Sequence, residues 1–291
     1  MKTKLLLAIF SIFLICVGCW SARSNAGPTP DANHTNNANM IELNDKHGFL
    51  DNLPKGFEQP TDDAGRLLLK EYGAVFLARN GAMPPKKVVF TDEADVTAFQ
   101  STLKRSSEPM GGYNVELQTA AMTALKEAQS EARLSNLSIS PRGADSARRG
   151  YTQTVSLWAS RVNPGFAHWV GKGRVTQAEA NRIKSLPPYQ QVPEILKLER
   201  DNIFFAKDLS KSIIYSVAPP GTSQHLSMLA LDVEQFENAK VRAILANHGW
   251  FQTVVSDLPH FTYLGVAEKE LPGLGLRKVT SGGRVFWVPD I

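Results

Sequence analysis

The sequence predicts an α+β fold, with helices packed on a largely antiparallel sheet and a helical region ahead of it. Three observations lead there. Apolar residues at helical spacing dominate up to about residue 200, and short runs rich in Val, Ile, Phe and Tyr dominate from residue 212 onward. The composition, 43% hydrophobic and 21% charged, is that of a chain able to bury a core, which excludes a fully disordered, collagenous or polytopic membrane protein.

The elements follow in order. Thr61-Asp62-Asp63 starts a helix over 61–79, in which Leu67, Leu68, Tyr72, Val75 and Phe76 recur at helical spacing. Val88-Val89-Phe90 reads as a short strand, and Thr91-Asp92-Glu93 caps a helix through Phe99. The Ala-rich stretch 117–134 aligns Leu117, Ala121, Ala124, Leu125 and Ala128 on one stripe. Residues 137–143 alternate as a strand that breaks at Pro141. Helices are expected over 151–161, 176–186, 192–199 and 241–247, and strands over 213–217, 229–233, 253–255, 261–264 and 285–288.

The amino terminus reads as an address. Lys2 and Lys4 precede an apolar run from Leu5 to Val17, followed by Gly18 and Cys19, the pattern of a secretory signal peptide over 1–19. A run of about 13 residues is short of the roughly 20 that span a bilayer. Cys16-Val17-Gly18-Cys19 resembles a bacterial lipobox, which implies lipidation at Cys19; ordinary cleavage after Ser24-Asn25-Ala26 is the alternative. Either route takes the protein out of the cytoplasm to the cell envelope; the lipobox reading adds contact with a membrane through a lipid anchor only. Residues 20–60, rich in Asn, Pro, Asp and Gly, are expected to be a disordered tether. Residues 61–135 form the helical N-terminal region, without a legible functional signal, and 136–291 the remaining domain.

Charge and cysteines narrow the chemistry. The formal net charge is +4, and two of the positive charges, Lys2 and Lys4, belong to the leader, so no basic surface for nucleic acid is expected. Both cysteines also lie in the leader, so the body has no intramolecular disulfide and any metal in it must take His, Asp or Glu. His34 and His47 fall in the tether, and His168 and His248 read as satisfied core residues. His225 with Asp232 seven residues on, and His260 with Asp257 three residues before it, offer imidazole and carboxylate, the ligand types of a thiolate-free zinc site.

Pro220-Gly221-Thr222-Ser223-Gln224-His225, continued by Ala230-Leu231-Asp232, closely resembles the Pro-Gly-x-Ser-x-His-x6-Asp signature of the VanY-type D-alanyl-D-alanine carboxypeptidases, zinc enzymes that trim peptidoglycan stem peptides. Asp257-Leu258-Pro259-His260-Phe261 resembles the family's acidic-x-x-His element, and with a looser upstream Arg element the resemblance covers about 136–266. It implies Zn2+ held by His225, Asp232 and His260, Asp257 as general base, and Ser223 as a substrate- or site-binding hydroxyl. It also implies an arginine facing the substrate, assigned to Arg142 with Gln153 after it, while Arg148 and Arg149 compete for that place. Two positions depart from the family pattern: Met228 stands where the family has Gly, and Asp257 where many carboxypeptidases have Glu. The Asp-x-Pro-His-Phe form resembles the L-Ala-D-Glu endopeptidases of the same superfamily. The alternatives to the carboxypeptidase are therefore that endopeptidase and a non-catalytic wall-binding lipoprotein. Peptidoglycan peptides are the expected partner, with no protein partner and no nucleic acid.

Overall fold

The computed structural model describes residues 48–291; the leader, lipidation at Cys19 and the tether up to residue 47 lie outside the described residues. The elements run α1 (Asp63–Tyr72), α2 (Glu93–Ser101), a hairpin of β1 (Arg105–Met110) and β2 (Tyr113–Gln118), α3 (Thr119–Leu134), α4 (Tyr151–Gly171), α5 (Gln177–Lys184), α6 (Gln191–Arg200), β3 (Ala230–Asp232), α7 (Ala239–Asn247), β4 (Trp250–Phe251), β5 (His260–Tyr263), and a hairpin of β6 (Leu276–Ser281) and β7 (Arg284–Pro289). The fold is α+β and every one of these strands pairs antiparallel, in a central sheet of order β3-β5-β4 and two separate hairpins.

Short polar side chains start the helices the sequence marked. Asp62 accepts the Gly65 N–H at 2.8 Å ahead of α1, and Asp92 accepts that of Asp95 at 2.8 Å ahead of α2, each satisfying a donor that has no partner within its helix. Helix α4 runs ten residues beyond the expected end at Arg161, through Pro164, because its core-facing stripe continues from Trp158 through Val162 to Phe166. Gly165 on that helix lies so close to the Phe205 ring that a Cβ would sit 2.4 Å from it.

One buried cluster holds Leu68 of α1, Leu125 of α3, Trp158 of α4 and Leu245 of α7 together with Leu231 and Phe261 of the central sheet. Residues 61–135 and 136–291 thus share a core. Complete burial of each such side chain contributes about 1.5–3 kcal/mol.

Several expectations need correction. The tether was expected to reach residue 60, yet Phe49 is fully buried and lies against Gly275, where a Cβ would come within 2.2 Å of the Phe49 nitrogen. The N-terminal region is not wholly helical, since β1 and β2 interrupt it and α3 begins at Thr119 rather than 117. Residues 88–90 and 137–143 form no strand; a single bridge, Glu58 to Lys87, precedes the first, and another, Pro141 to Val233, lies within the second. Ile213–Tyr215 is a 3-10 turn, because Glu199 accepts the Ile213 N–H at 2.7 Å and the Ser212 hydroxyl, drawing that backbone away from any ladder. Residues 253–255 are loop, with the strand at Trp250–Phe251 instead.

Candidate metal centre and cleft

The central sheet sets the first half of the site. Antiparallel register places Asp232 of β3 directly opposite His260 of β5, and His260 Nδ1 lies 3.2 Å from Asp232 Oδ1. His225 comes from the 3-10 turn Gln224–Ser227 that precedes β3. That turn ends at Met228, whose φ of 59° and ψ of 28° are left-handed. The reversal carries the chain back so that His225 Nε2 lies 3.3 Å from the same Asp232 oxygen. Met228 therefore holds the conformation that glycine adopts most readily, which gives the departure at this position its physical meaning. One ligand atom each from His225, Asp232 and His260 falls within 4.8 Å of the others, so this buried group could hold a metal ion.

The hydrogen bonds around the histidines fix which nitrogen faces inward. His225 Nδ1 lies 2.7 Å from the Ala147 carbonyl, so it donates there and leaves Nε2 as a lone pair. Buried Nε2 has no hydrogen-bond partner among the described residues. Gln224 donates its amide to the Tyr72 carbonyl at 2.8 Å and to Thr253 Oγ1 at 3.3 Å, so its Oε1 accepts from His260 Nε2 at 2.9 Å, and His260 Nδ1 becomes the inward lone pair. Two lone pairs and a carboxylate oxygen thus converge with no proton among them. This arrangement could hold a cation, and it fixes tautomer through outer partners as metal-bound histidines do.

Electrostatics agree with that reading. Burial, the largest influence, pushes the His225 imidazole below its ordinary value and outweighs the opposite pull of Asp232. Burial alone would raise the Asp232 carboxyl, but protonated His225 and His260 beside it would hold it well below the usual carboxylate range. Arg149 takes the other Asp232 oxygen at 2.8 Å and is braced by the Asp145 carbonyl at 2.9 Å, which leaves Oδ1 turned toward the histidines.

The group opens onto a cleft of about 210 Å3 bordered by Ser223, Asp257, Arg149, Arg161, Tyr72 and Tyr215, along with His225 and His260. Asp257 is exposed, and the His260 N–H donates to its carbonyl at 3.2 Å, closing the turn that leads into β5. Among the described residues Arg161 bonds hydroxyls only, Ser216 at 3.1 Å and Ser160 at 2.9 Å. The Tyr72 hydroxyl donates to the Ile214 carbonyl, and burial raises its pKa.

Five of the seven predicted site residues in the described chain thus meet here: His225, Asp232, His260, Asp257 and Ser223. Arg142 and Gln153 do not. The Arg142 side chain is half exposed, 3.6 Å from Glu234 and over the Phe236 ring, and only its backbone N–H reaches the site, donating to the Asp232 carbonyl at 3.0 Å. Gln153 caps α4 by accepting the Gly150 N–H at 2.8 Å. Arg148 turns away to Gln100 and Glu116, so of the three arginines weighed it is Arg149 that borders the cleft. His168 is exposed rather than core, and His248 binds Glu131 at 2.8 Å. Gln224, Arg161 and Tyr72 were not foreseen; Gln224 sat inside the matched motif at its variable position, and the other two carry no local signal. Compared with family models, with curated proteins and with solved structures, the chain matches none.

Proposed function

We propose that the protein is an exported zinc peptidase of the cell envelope that hydrolyses peptidoglycan stem peptides, with removal of a terminal D-Ala as its principal reaction and a lipid anchor at Cys19 holding it to the membrane. The observation that carries the reading is the convergence of His225 Nε2, His260 Nδ1 and Asp232 Oδ1 at the floor of an open cleft that also holds an unengaged carboxylate, Asp257. Two nitrogens and one oxygen without thiolate are a donor set suited to catalytic zinc, which keeps a position open for water. When bound, zinc supplies Lewis acidity toward the scissile carbonyl and lowers the pKa of water beside it.

The chain's own residues do the rest. Asp257 accepts the proton of the attacking water on a carboxylate oxygen and passes it to the leaving amide nitrogen, a transfer its exposure on the cleft wall allows. Arg149 and Gln224 hold Asp232 and His260 in place, so the ligand set is formed before substrate arrives. Arg161, with no carboxylate bound to it among the described residues, offers a guanidinium to a substrate anion, the role first given to Arg142.

Two features favour the L-Ala-D-Glu endopeptidase as a second reading. Asp257 has a shorter reach than Glu, and Arg142, the expected reader of a C-terminal carboxylate, lies outside the cleft. Mass spectrometry of defined muropeptides incubated with the zinc-loaded protein tests both. Loss of a terminal alanine supports the carboxypeptidase, and cleavage between L-Ala and D-Glu supports the endopeptidase. Intact peptides in the presence of bound zinc would overturn the peptidase reading.

A further inference from the structure

Helix α1 ends at Tyr72, and the last carbonyls of a helix have no partner within it, so the Tyr72 carbonyl is left to accept from outside. It accepts one N–H of the Gln224 amide at 2.8 Å, while the Tyr72 hydroxyl donates to the Ile214 carbonyl and pins the residue at its other end. The second Gln224 N–H goes to Thr253 Oγ1 at 3.3 Å. Thr262 stands two residues after His260 on β5, hence on the same face, and its hydroxyl donates to Gln224 Oε1. A hydroxyl carries one proton, so the 2.7 Å contact between the two threonine oxygens is a donation from Thr253 to Thr262. The bonds run one way around a closed ring, from Gln224 to Thr253 to Thr262 and back, and all three side chains are buried.

We infer that Thr253 and Thr262 are positioning residues for His260, and that this ring, anchored on the end of α1, commits His260 to offering Nδ1 to a cation. The commitment has a competitor. His260 Nδ1 lies 3.2 Å from Asp232 Oδ1, so a proton moved from Nε2 to Nδ1 would find a charged acceptor and close the centre on itself. Gln224 opposes that state only while its Oε1 faces His260 Nε2, at 2.9 Å. In the ring Oε1 accepts from both His260 and Thr262 and both amide N–H groups are used, so Gln224 has no unmet group that would favour another orientation.

The threonines and the Tyr72 carbonyl contribute differently. Each hydroxyl can turn, so the threonines alone would tolerate a ring running the other way with the amide turned over. The Tyr72 carbonyl would not, because Oε1 would then face it with no proton between two acceptors. One backbone oxygen of α1 thus sets the direction, and the threonines hold it. Residues 61–135, which carry no functional signal in the sequence, enter the site through that oxygen. The consequence for a metal rests on the zinc reading above; the direction of the ring does not.

The test has two arms. In the zinc-free protein, at a pH well above the ordinary imidazole value of about 6.5, proton–nitrogen correlation spectra of the imidazole rings read which nitrogen of His260 holds the proton. The parent is expected to hold it on Nε2, and Gln224→Met, which offers no acceptor there, on Nδ1. In the second arm, competition with a chromogenic chelator reads zinc affinity. Thr253→Val and Thr262→Val should each weaken zinc about ten-fold, in the range expected for lost outer partners, and serine at either position should restore the parent value. The double valine variant should also lose about ten-fold rather than about a hundred-fold, because the ring is broken only once. Valine matches the shape of threonine, so a mere packing role would leave the valine variants near the parent and give serine the greater loss. If Gln224→Met folds poorly, the parent tautomer and the threonine series still decide. A parent with its proton on Nδ1, Gln224→Met with its proton still on Nε2, parent-like zinc affinity in both single valine variants, or additive losses in the double variant would overturn the inference. If the parent binds no zinc the metal reading fails, and the tautomer arm decides this inference by itself.

Discussion

Replacing Met228 by alanine and by glycine separates the two demands that this position meets. The side chain is fully buried and the backbone is left-handed. Truncation to alanine removes packing worth about 2–5 kcal/mol and keeps the strain. Glycine removes the same packing but releases the left-handed cost of roughly 1–2 kcal/mol, against an added chain-entropy loss of about 0.5–1 kcal/mol. Glycine should therefore be the more stable of the two by about 0.5–1 kcal/mol, the reverse of the order in an ordinary helix or strand, where alanine wins by a similar margin. Urea unfolding of both variants with common m-values measures the difference, and thermal unfolding should separate them by a few degrees, at about 2–4 °C per kcal/mol for a domain of this size. Alanine more stable than glycine would refute the left-handed turn, and with it the account of how His225 and Asp232 reach one point.

Other consequences follow from the same geometry. Asp257→Asn should lower turnover about 10²–10⁴-fold with zinc content unchanged, since a base acts on water and is no ligand; near-normal activity with bound zinc would remove it from the mechanism. Arg142→Ala should leave kcat/KM within about three-fold of the parent, because its half-exposed pair with Glu234 is of the kind worth under about 1 kcal/mol, whereas Arg161→Met should raise KM for an anionic substrate and leave kcat nearly intact. Glu199 accepts from Phe205 N at 3.3 Å, Ile213 N at 2.7 Å and the Ser212 hydroxyl, and burial raises its carboxyl above the ordinary 4.5. A raised carboxyl binds its proton more readily in the folded protein, so its contribution to stability is greatest below pH 4.5 and is lost as pH rises through the folded value. Unfolding measured across that window should show this decline in the parent and not in Glu199→Gln, which should also lose about 1–3 kcal/mol through a mismatched amide.

The convergence of the three candidate ligands was legible because they lie in two short segments, and the register of β3 on β5 brings Asp232 and His260 together without a long-range coincidence. The capped helices were legible for the same local reason: Asp62 and Asp92 act on N–H groups three residues away. The two hairpins carried a signal that went unread. Gly111-Gly112 and Gly282-Gly283 have positive φ at both positions, as tight two-residue hairpin turns require, but Arg105-Ser106-Ser107-Glu108-Pro109-Met110 has few strand-forming residues to call attention to the first. Ile213-Ile214-Tyr215 shows the opposite failure, an apolar β-branched run bent into a turn by a distant glutamate. Arg142, Arg148 and Arg149 could not be sorted from sequence, since what distinguishes them is which side of a loop each guanidinium leaves and the acids it meets.

The most direct test of the central claim is a crystal structure of the zinc-loaded protein with anomalous scattering collected on both sides of the zinc edge. The expected result is one ion per chain, with His225 Nε2 and His260 Nδ1 at about 2.0–2.1 Å, Asp232 Oδ1 at about 2.0–2.2 Å and water in the open position. An empty site after zinc loading, an ion bound elsewhere, or coordination through His225 Nδ1 or His260 Nε2 would contradict it.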